Sequence, residues 1–231
     1  VISRPDQYVG VATYFGNGGT QQIDYGFQPD LVFGKARIST TGGGWNWIDS
    51  IRGNKYLASQ NTNAEADFTG GNGVTFNAKG MSLVDTSNGD WNLNGNPGGT
   101  YVGSGGGYVY FGFKAGGSKN TFNVDDVGYA TAAAAGLGAS GNSWDSDPTG
   151  ASIGTKQGFS IIKHTGTGST GTLPHGLTQK PTFYISKPVS TTGNWVVYTD
   201  LIDGSLDYFY LNTNGAKGDS GQSLPTSELF S

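Results

Sequence analysis

Short runs in which apolar and polar positions alternate recur along the whole chain. Val9-x-Val11-x-Thr13, Phe159-x-Ile161 and Phe183-x-Ile185 keep a two-residue period. Trp195-Val196-Val197-Tyr198, Tyr208-Phe209-Tyr210-Leu211 and Tyr108-Val109-Tyr110-Phe111-Gly112-Phe113 are β-branched and aromatic clusters of strand length. Between them stand Asn-Gly pairs beginning at Asn17, Asn72, Asn88, Asn94 and Asn214, with Asp-Gly at Asp203. Both central residues of a type I′ turn need positive φ, which Asn-Gly tolerates best. Strands with such turns every 8–12 residues predict a β-sandwich or jelly roll.

The pattern also repeats over a longer distance. Val9-x-Val11-x-Thr13-Tyr14-Phe15-Gly16-Asn17-Gly18 meets Phe159-x-Ile161-x-Lys163-His164-Thr165-Gly166-Thr167-Gly168 at a shift of 150 residues. Gly26-Phe27 then falls on Gly176-Leu177 and Trp45 on Trp195, while Pro29/Pro181 and Lys35/Lys187 need a slip of two. A slip of four sets Tyr56-Leu57 on Tyr210-Leu211. The expectation is an all-β chain of two tandem β-sandwich, jelly-roll-like units. The first repeat occupies 1–117, a loop-rich linker 118–157, and the second repeat 158–231. The run Thr131-Ala132-Ala133-Ala134-Ala135-Gly136 predicts at most one short helix in the linker, because Gly136 and Gly138 end it quickly. The second repeat has no counterpart of Tyr108–Phe113, so either the natural chain continues past Ser231 or another chain completes the sheet; continuation is the preferred expectation.

Composition narrows the class. Forty-one of 231 residues are glycine, against the roughly 7% usual in proteins. Charged residues are 13% and aromatic residues 13%; a disordered chain would be rich in charge and poor in rings. The glycines keep no three-residue period, which excludes collagen. The net charge of −4 is spread without runs, so there is no basic stripe for nucleic acid or for an anionic membrane surface. No apolar run approaches a membrane span, and Val1 opens straight into Ser3-Arg4-Pro5-Asp6 with no leader pattern. Cysteine is absent, which removes disulfides and thiolate metal sites.

Several strings imitate catalytic motifs. Gly166-Thr167-Gly168-Ser169-Thr170-Gly171 spells the dinucleotide fingerprint, but Thr172-Leu173-Pro174 follows where a helix must begin; a hairpin loop is expected. Gly218-Asp219-Ser220-Gly221 resembles a serine-protease nucleophile string, yet the only histidines, His164 and His175, replace Tyr14 and Tyr25 of the first repeat, so no base is assigned. Asp125-Asp126, Asp145-Ser146-Asp147 and Asp85-Thr86-Ser87-Asn88-Gly89-Asp90 could offer oxygens to calcium, but the last lacks the distal glutamate of an EF-hand. The expectation is no enzyme, no cofactor and no metal.

Rings are the best raw material for a binding site, since they stack on sugar faces. Trp45 and Trp195 are repeat-equivalent and are expected in the cores. Trp91 and Trp144 have no partner in the other repeat. Trp144 stands beside Asn142, Asp145 and Asp147, the side chains a carbohydrate site uses. These five residues, Trp91, Asn142, Trp144, Asp145 and Asp147, are the candidate ligand-binding set.

Gly16-Asn17-Gly18, Tyr25-Gly26-Phe27-x-Pro29-Asp30-Leu31-Val32 and Asp49-Ser50-Ile51-Arg52-Gly53 resemble tandem repeat units in large virion proteins of bacteriophages, many of them marine. Asn123-Val124-Asp125-Asp126-Val127-Gly128-Tyr129-Ala130 and Thr149–Ile161 are the most specific part of that likeness. The resemblance implies a tail fibre, tail spike or similar structural component of the virion surface, meeting other virion proteins and a host surface glycan. It carries no catalytic residues. The incomplete second repeat, with an expected unpaired edge after Phe230, points to a homo-oligomer, and a trimer is expected because many phage fibres are trimeric. A carbohydrate-binding, lectin-like module of a bacterial surface protein is the alternative, and a glycoside hydrolase is a third reading without a motif behind it.

Overall fold

A computed structural model describes residues 4–37, 44–85, 93–95, 107–140 and 144–230. The chain is all-β, with one 3₁₀ turn (Pro5–Gln7) and no α-helix among the described residues. It forms two compact units. The first comprises Val1–Lys114 with Pro188–Gly193, the second Ala115–Lys187 with Asn194–Ser231.

In the first unit, β1 (Val9–Phe15), β3 (Leu31–Ala36), β4 (Asn46–Asp49), β5 (Lys55–Ala58), β6 (Ala66–Asp67) and β9 (Gly107–Phe113) form one sheet in the order β1-β9-β3-β4-β5-β6. The second sheet, β2-β8-β7, contains β2 (Thr20–Asp24), β7 (Gly73–Asn77) and β8 (Gly80–Val84). Their inner faces meet as a sandwich. Val32, Ala36, Ile48, Tyr108 and Tyr110 from the large sheet bury against Ile23, Val74, Met81 and Leu83 from the small one. The two-residue period explains this selection, because alternate side chains on a strand point to opposite faces. β9 lies between β1 and β3, antiparallel to both, and Tyr108 and Tyr110 are its core residues.

The second unit has one sheet of β10 (Phe122–Val124), β11 (Val127–Tyr129), β12 (Gly150–Gly154) and β13 (Phe159–Lys163), in the order β11-β10-β12-β13. A second holds β15 (Phe183–Ser186), β16 (Val196–Thr199), β17 (Asp207–Tyr210) and β18 (Gly218–Asp219) in chain order, and β14 (Leu173–Pro174) pairs β19 (Leu229–Phe230). The segment 118–157, read from the sequence as a loop-rich linker, thus supplies three strands to this unit. Its core is Phe122, Ala132, Leu137, Ala151 and Ile153. The alanine run makes a single turn and no helix. Thr131 caps Ala134, and Gly136 at φ 75° closes the turn with Leu137 N–H on the Ala132 carbonyl.

The repeat is visible bond by bond. Tyr25 N–H donates to the Lys79 carbonyl, and His175 N–H to that of Glu228. Trp45 N–H is received by the Gln60 amide and Trp195 N–H by that of Asn212. Gly26 and Gly176 both sit at positive φ, 80° and 70°, directly after these positions. Asn46 pairs Ala58 as Val196 pairs Tyr210, and Lys55 pairs Asp67 as Asp207 pairs Asp219. These pairings set Tyr56 on Tyr208, a slip of two; the slip of four that the sequence suggested through Tyr210 is corrected. Identity of letters had outweighed the pleat there, since both choices keep the same face.

Candidate functional site

The most distinctive surface is the outer face of the large sheet in the first unit. On β3 the buried positions are Val32, Gly34 and Ala36, so Phe33 and Lys35 face away from the core. On β9 the same alternation turns Phe111 and Phe113 outward. Register then places Val11, Phe111, Phe33 and Trp47 in one row across β1, β9, β3 and β4. Phe33 is its centre. Its ring stacks on Trp47 (4.4 Å between centroids, 12° between planes), Phe111 (5.1 Å, 19°) and Phe113 (5.7 Å, 10°). Trp45 tilts against Phe33 at 5.8 Å, and the Lys35 ammonium lies 5.8 Å from the Trp45 ring. Along the β1 margin Val9, Val11 and Phe15 are 44%, 59% and 60% exposed.

The planes of Trp47, Phe111 and Phe113 lie within 20° of that of Phe33, so these rings pack face against face as a stacked apolar strip that turns ring edges outward. The strip was hidden in the sequence because its members come from three strands with long separations. Trp45 and Trp195, both expected in cores, also part company: Trp195 is 3% exposed, whereas Trp45 is half-buried on this outer face.

The strip is anchored by the turn that follows β4. Asp49 receives the Ile51 and Arg52 amides on one oxygen (3.1 and 2.9 Å) and the Arg52 guanidinium on the other (2.6 Å). Arg52 also donates to the Trp47 carbonyl at 3.1 Å. The Asp49-Ser50-Ile51-Arg52-Gly53 string is therefore a pinned turn that fixes the backbone under Trp47.

The five candidate residues named from the sequence divide differently. Trp91 and Asn142 lie outside the described residues. Trp144, Asp145 and Asp147 share one loop of the second unit, and each makes a loop contact. The Trp144 indole donates to the Leu137 carbonyl at 3.2 Å. One Asp145 oxygen receives Thr172 N–H and Oγ–H at 2.7 and 2.8 Å, and those bonds hold its carboxyl below the usual carboxylate range. Asp147 receives Ala139 N–H at 2.5 Å.

The other acidic and motif-like strings resolve into turns. Asp125 and Asp126, at φ 48° and 69°, are the two central residues of the β10–β11 hairpin, the type I′ geometry. Asp125 is held there by Thr155 N–H (2.9 Å) and Oγ–H (2.5 Å). Asp85 receives Asn94 N–H at 3.2 Å, while residues 86–90 of that string lie outside the described residues. Gly166–Gly171 lies in the loop between β13 and β14. In Gly218-Asp219-Ser220-Gly221 the aspartate receives Gly221 N–H at 2.9 Å. His175 is fully buried. Leu177 N–H donates to its Nδ1 at 3.0 Å, so the ring proton resides on Nε2, facing the Thr226 carbonyl at 3.3 Å. Burial lowers its pKa from the ordinary histidine value. Among the described residues no group of three or more His, Asp or Glu is placed to hold a metal ion, and no helix is long and apolar enough to cross a membrane.

No curated protein and no solved structure matches the chain. One family model matches twice, over residues 4–121 and again over 108–231, so that both repeats are covered and all of β9 after Gly107 lies in the overlap. The chain belongs to the family described as Domain of unknown function (DUF7483), of which it carries two tandem copies.

Proposed function

We propose that this protein is a structural component of a bacteriophage virion, part of a tail fibre or another surface appendage that meets the host. The observation that carries the reading is the tandem β architecture with its stacked aromatic strip. A rigid sheet that presents rings on its outer face is suited to attachment and needs no chemistry. The surface partner under this reading is a host glycan, met at the apolar edge of the stack that Phe33, Trp45 and Trp47 share. The remaining partners are other virion proteins, in a homo-oligomer that the fibre resemblance makes trimeric. Proteomics of purified virions tests the placement, and absence of the chain from the particles sinks it.

A lectin-like module of a bacterial surface protein is the second reading, favoured by the same strip. Glycan-array binding by the purified protein, lost on Trp45→Ala, would support either host-facing role. The virion experiment separates them. Binding that survives Trp45→Ala but falls with Trp144→Ala would move the glycan site to the loop holding Asp145 and Asp147.

A further inference from the structure

Row by row, the outer face of the large sheet in the first unit passes from rings to cations. Beyond the row of Val11, Phe111, Phe33 and Trp47, the register sets Thr13, Val109 and Lys35 side by side, and after them Phe15 and Gly107. Arg37 joins this last row, its N–H donating to the Gly107 carbonyl. Lys35 and Arg37 are two residues apart on extended chain, so both project from the outer face. A Cβ on Gly107 would stand 2.7 Å from one Arg37 Nη. The guanidinium therefore lies over the glycine, in the space that a side chain at 107 would fill. Beside it the Lys35 ammonium is held 5.8 Å from the Trp45 ring, a cation–π contact.

Among the described residues neither cation forms an ion pair with a carboxylate. Asp49 and Asp67, the acids that the strands turn to this face, stand beyond the rings and hold Arg52 and Lys55 at 2.6 and 2.7 Å. The rings add to the same sign. An aromatic ring is negative over its faces and positive around its edge. Phe33, Phe111 and Trp47 turn their faces to one another, which leaves the edges for a ligand. A sugar that lies flat needs a free ring face, whereas an anionic oxygen is drawn to ring edges and cations alike.

We propose that this end of the strip is a subsite for a carboxylated sugar, whose carboxylate is received by Lys35 and Arg37 while its ring rests on the edges of Phe33 and Trp45. The assignment rests on the host-glycan reading and deepens it by giving the sugar a charge. The planar fork of Arg37 takes both oxygens of a carboxylate, and Lys35 supplies a point charge beside it. Phe15, 60% exposed and paired with Gly107, adds an apolar wall next to the guanidinium. Single exposed ion pairs are weak, so the two cations act together, and rising salt weakens the site.

The test titrates oligogalacturonate and oligosialate into the 231-residue protein, each beside its methyl ester, which keeps the sugar and removes the charge. Expected are saturable binding of at least one acid and binding of its ester weaker by about tenfold or more. The double variant Lys35→Gln/Arg37→Gln should bind the acid no better than the ester, at an unchanged melting temperature. Equal binding of acid and ester, or binding of neutral glycans alone on an array, overturns the carboxylate subsite and leaves the host-glycan reading standing. Acid binding that the double variant retains overturns the subsite as well. Polyphosphate that binds as tightly as the acids does the same, because charge without sugar would then suffice. Failure of every glycan, acidic and neutral, overturns both readings.

Discussion

Lys217 sets its ammonium 2.5 Å from the carboxylate of Asp207, and the pair is the charge-reversed counterpart of Lys55 and Glu65 in the first unit, which stand 3.7 Å apart. Pairing of Lys55 with Asp67 and of Asp207 with Asp219 fixes the equivalence. The two copies have kept an ion pair at this point and exchanged its ends. The versions differ in burial. The Asp207 side chain is 0% exposed, and Lys217, at 40%, also holds Asp203 at 2.6 Å.

Removing Lys217 leaves a buried carboxylate without its cation. Lys217→Met is expected to lower unfolding stability by about 1–3 kcal/mol, measured by urea denaturation. Lys55→Met, whose partner Asp67 is well exposed, is expected to cost less than about 1 kcal/mol. In the double variant with Asp207→Asn, part of the Lys217 loss should return; strict additivity would mean that the two groups are not coupled.

His175 makes stability depend on pH. Its folded pKa lies below the unfolded value of 6.5 because burial disfavours the charged ring. In the window below 6.5 the unfolded chain binds the extra proton, so stability is full above that pH and falls as the solution is acidified towards the folded pKa. A protonated Nδ1 would also meet Leu177 N–H head-on. Denaturation midpoints at pH 7.5 and pH 5 should differ, and His175→Gln should remove most of that difference. An unchanged slope in the variant would place the acid sensitivity elsewhere.

At Gly34 β3 lies so close to β9 that a Cβ would stand 2.2 Å from the Val109 carbonyl oxygen. Gly34→Ala is expected to cost at least about 3 kcal/mol, the upper range for overpacking, seen as a large drop in melting temperature. Gly26→Ala meets nothing within 4 Å and carries only the strain of φ 80°, about 1–2 kcal/mol. Equal losses at the two sites would contradict the close approach.

Much of this fold was legible in the sequence, and the reasons are local. Alternation marked β1, β13 and β15 because the pleat imposes a two-residue period, and the ring-rich clusters marked β9, β16 and β17. The strands β10, β11 and β12 were not read, because Phe122–Val124 and Val127–Tyr129 are only three residues each and no alternation can establish itself over that length. Their hairpin carries Asp125-Asp126 in place of the Asn-Gly that signals such a turn. The aromatic strip was illegible for another reason. Phe33, Trp47 and Phe111 become neighbours only through registers that bring residues far apart in sequence together. The sequence did single out Trp144 and its acidic neighbours, but it could not foresee that Thr172 would occupy the Asp145 carboxylate.

That carboxylate offers a further test. Asp145→Ala should release the Thr172 amide, seen as faster hydrogen exchange there. It should also change Trp144 fluorescence if the loop moves as one. A Thr172 amide that stays protected would show that the β14 pairing alone holds this segment.

Pro188–Gly193 follows β15 in the chain yet belongs to the first unit, where Glu65 N–H donates to the Val189 carbonyl and Gly193 N–H to that of Thr62. The polypeptide thus leaves the second unit at Lys187 and re-enters it at Asn194. No single cut divides this chain into its two folded halves. A fragment of residues 1–114 lacks the Val189 carbonyl that receives Glu65 N–H and the Gly193 amide that donates to Thr62, and a fragment from 115 onward carries six residues that belong elsewhere. In this chain the stretches matched as repeats, 4–121 and 108–231, are therefore not the stretches that fold as units.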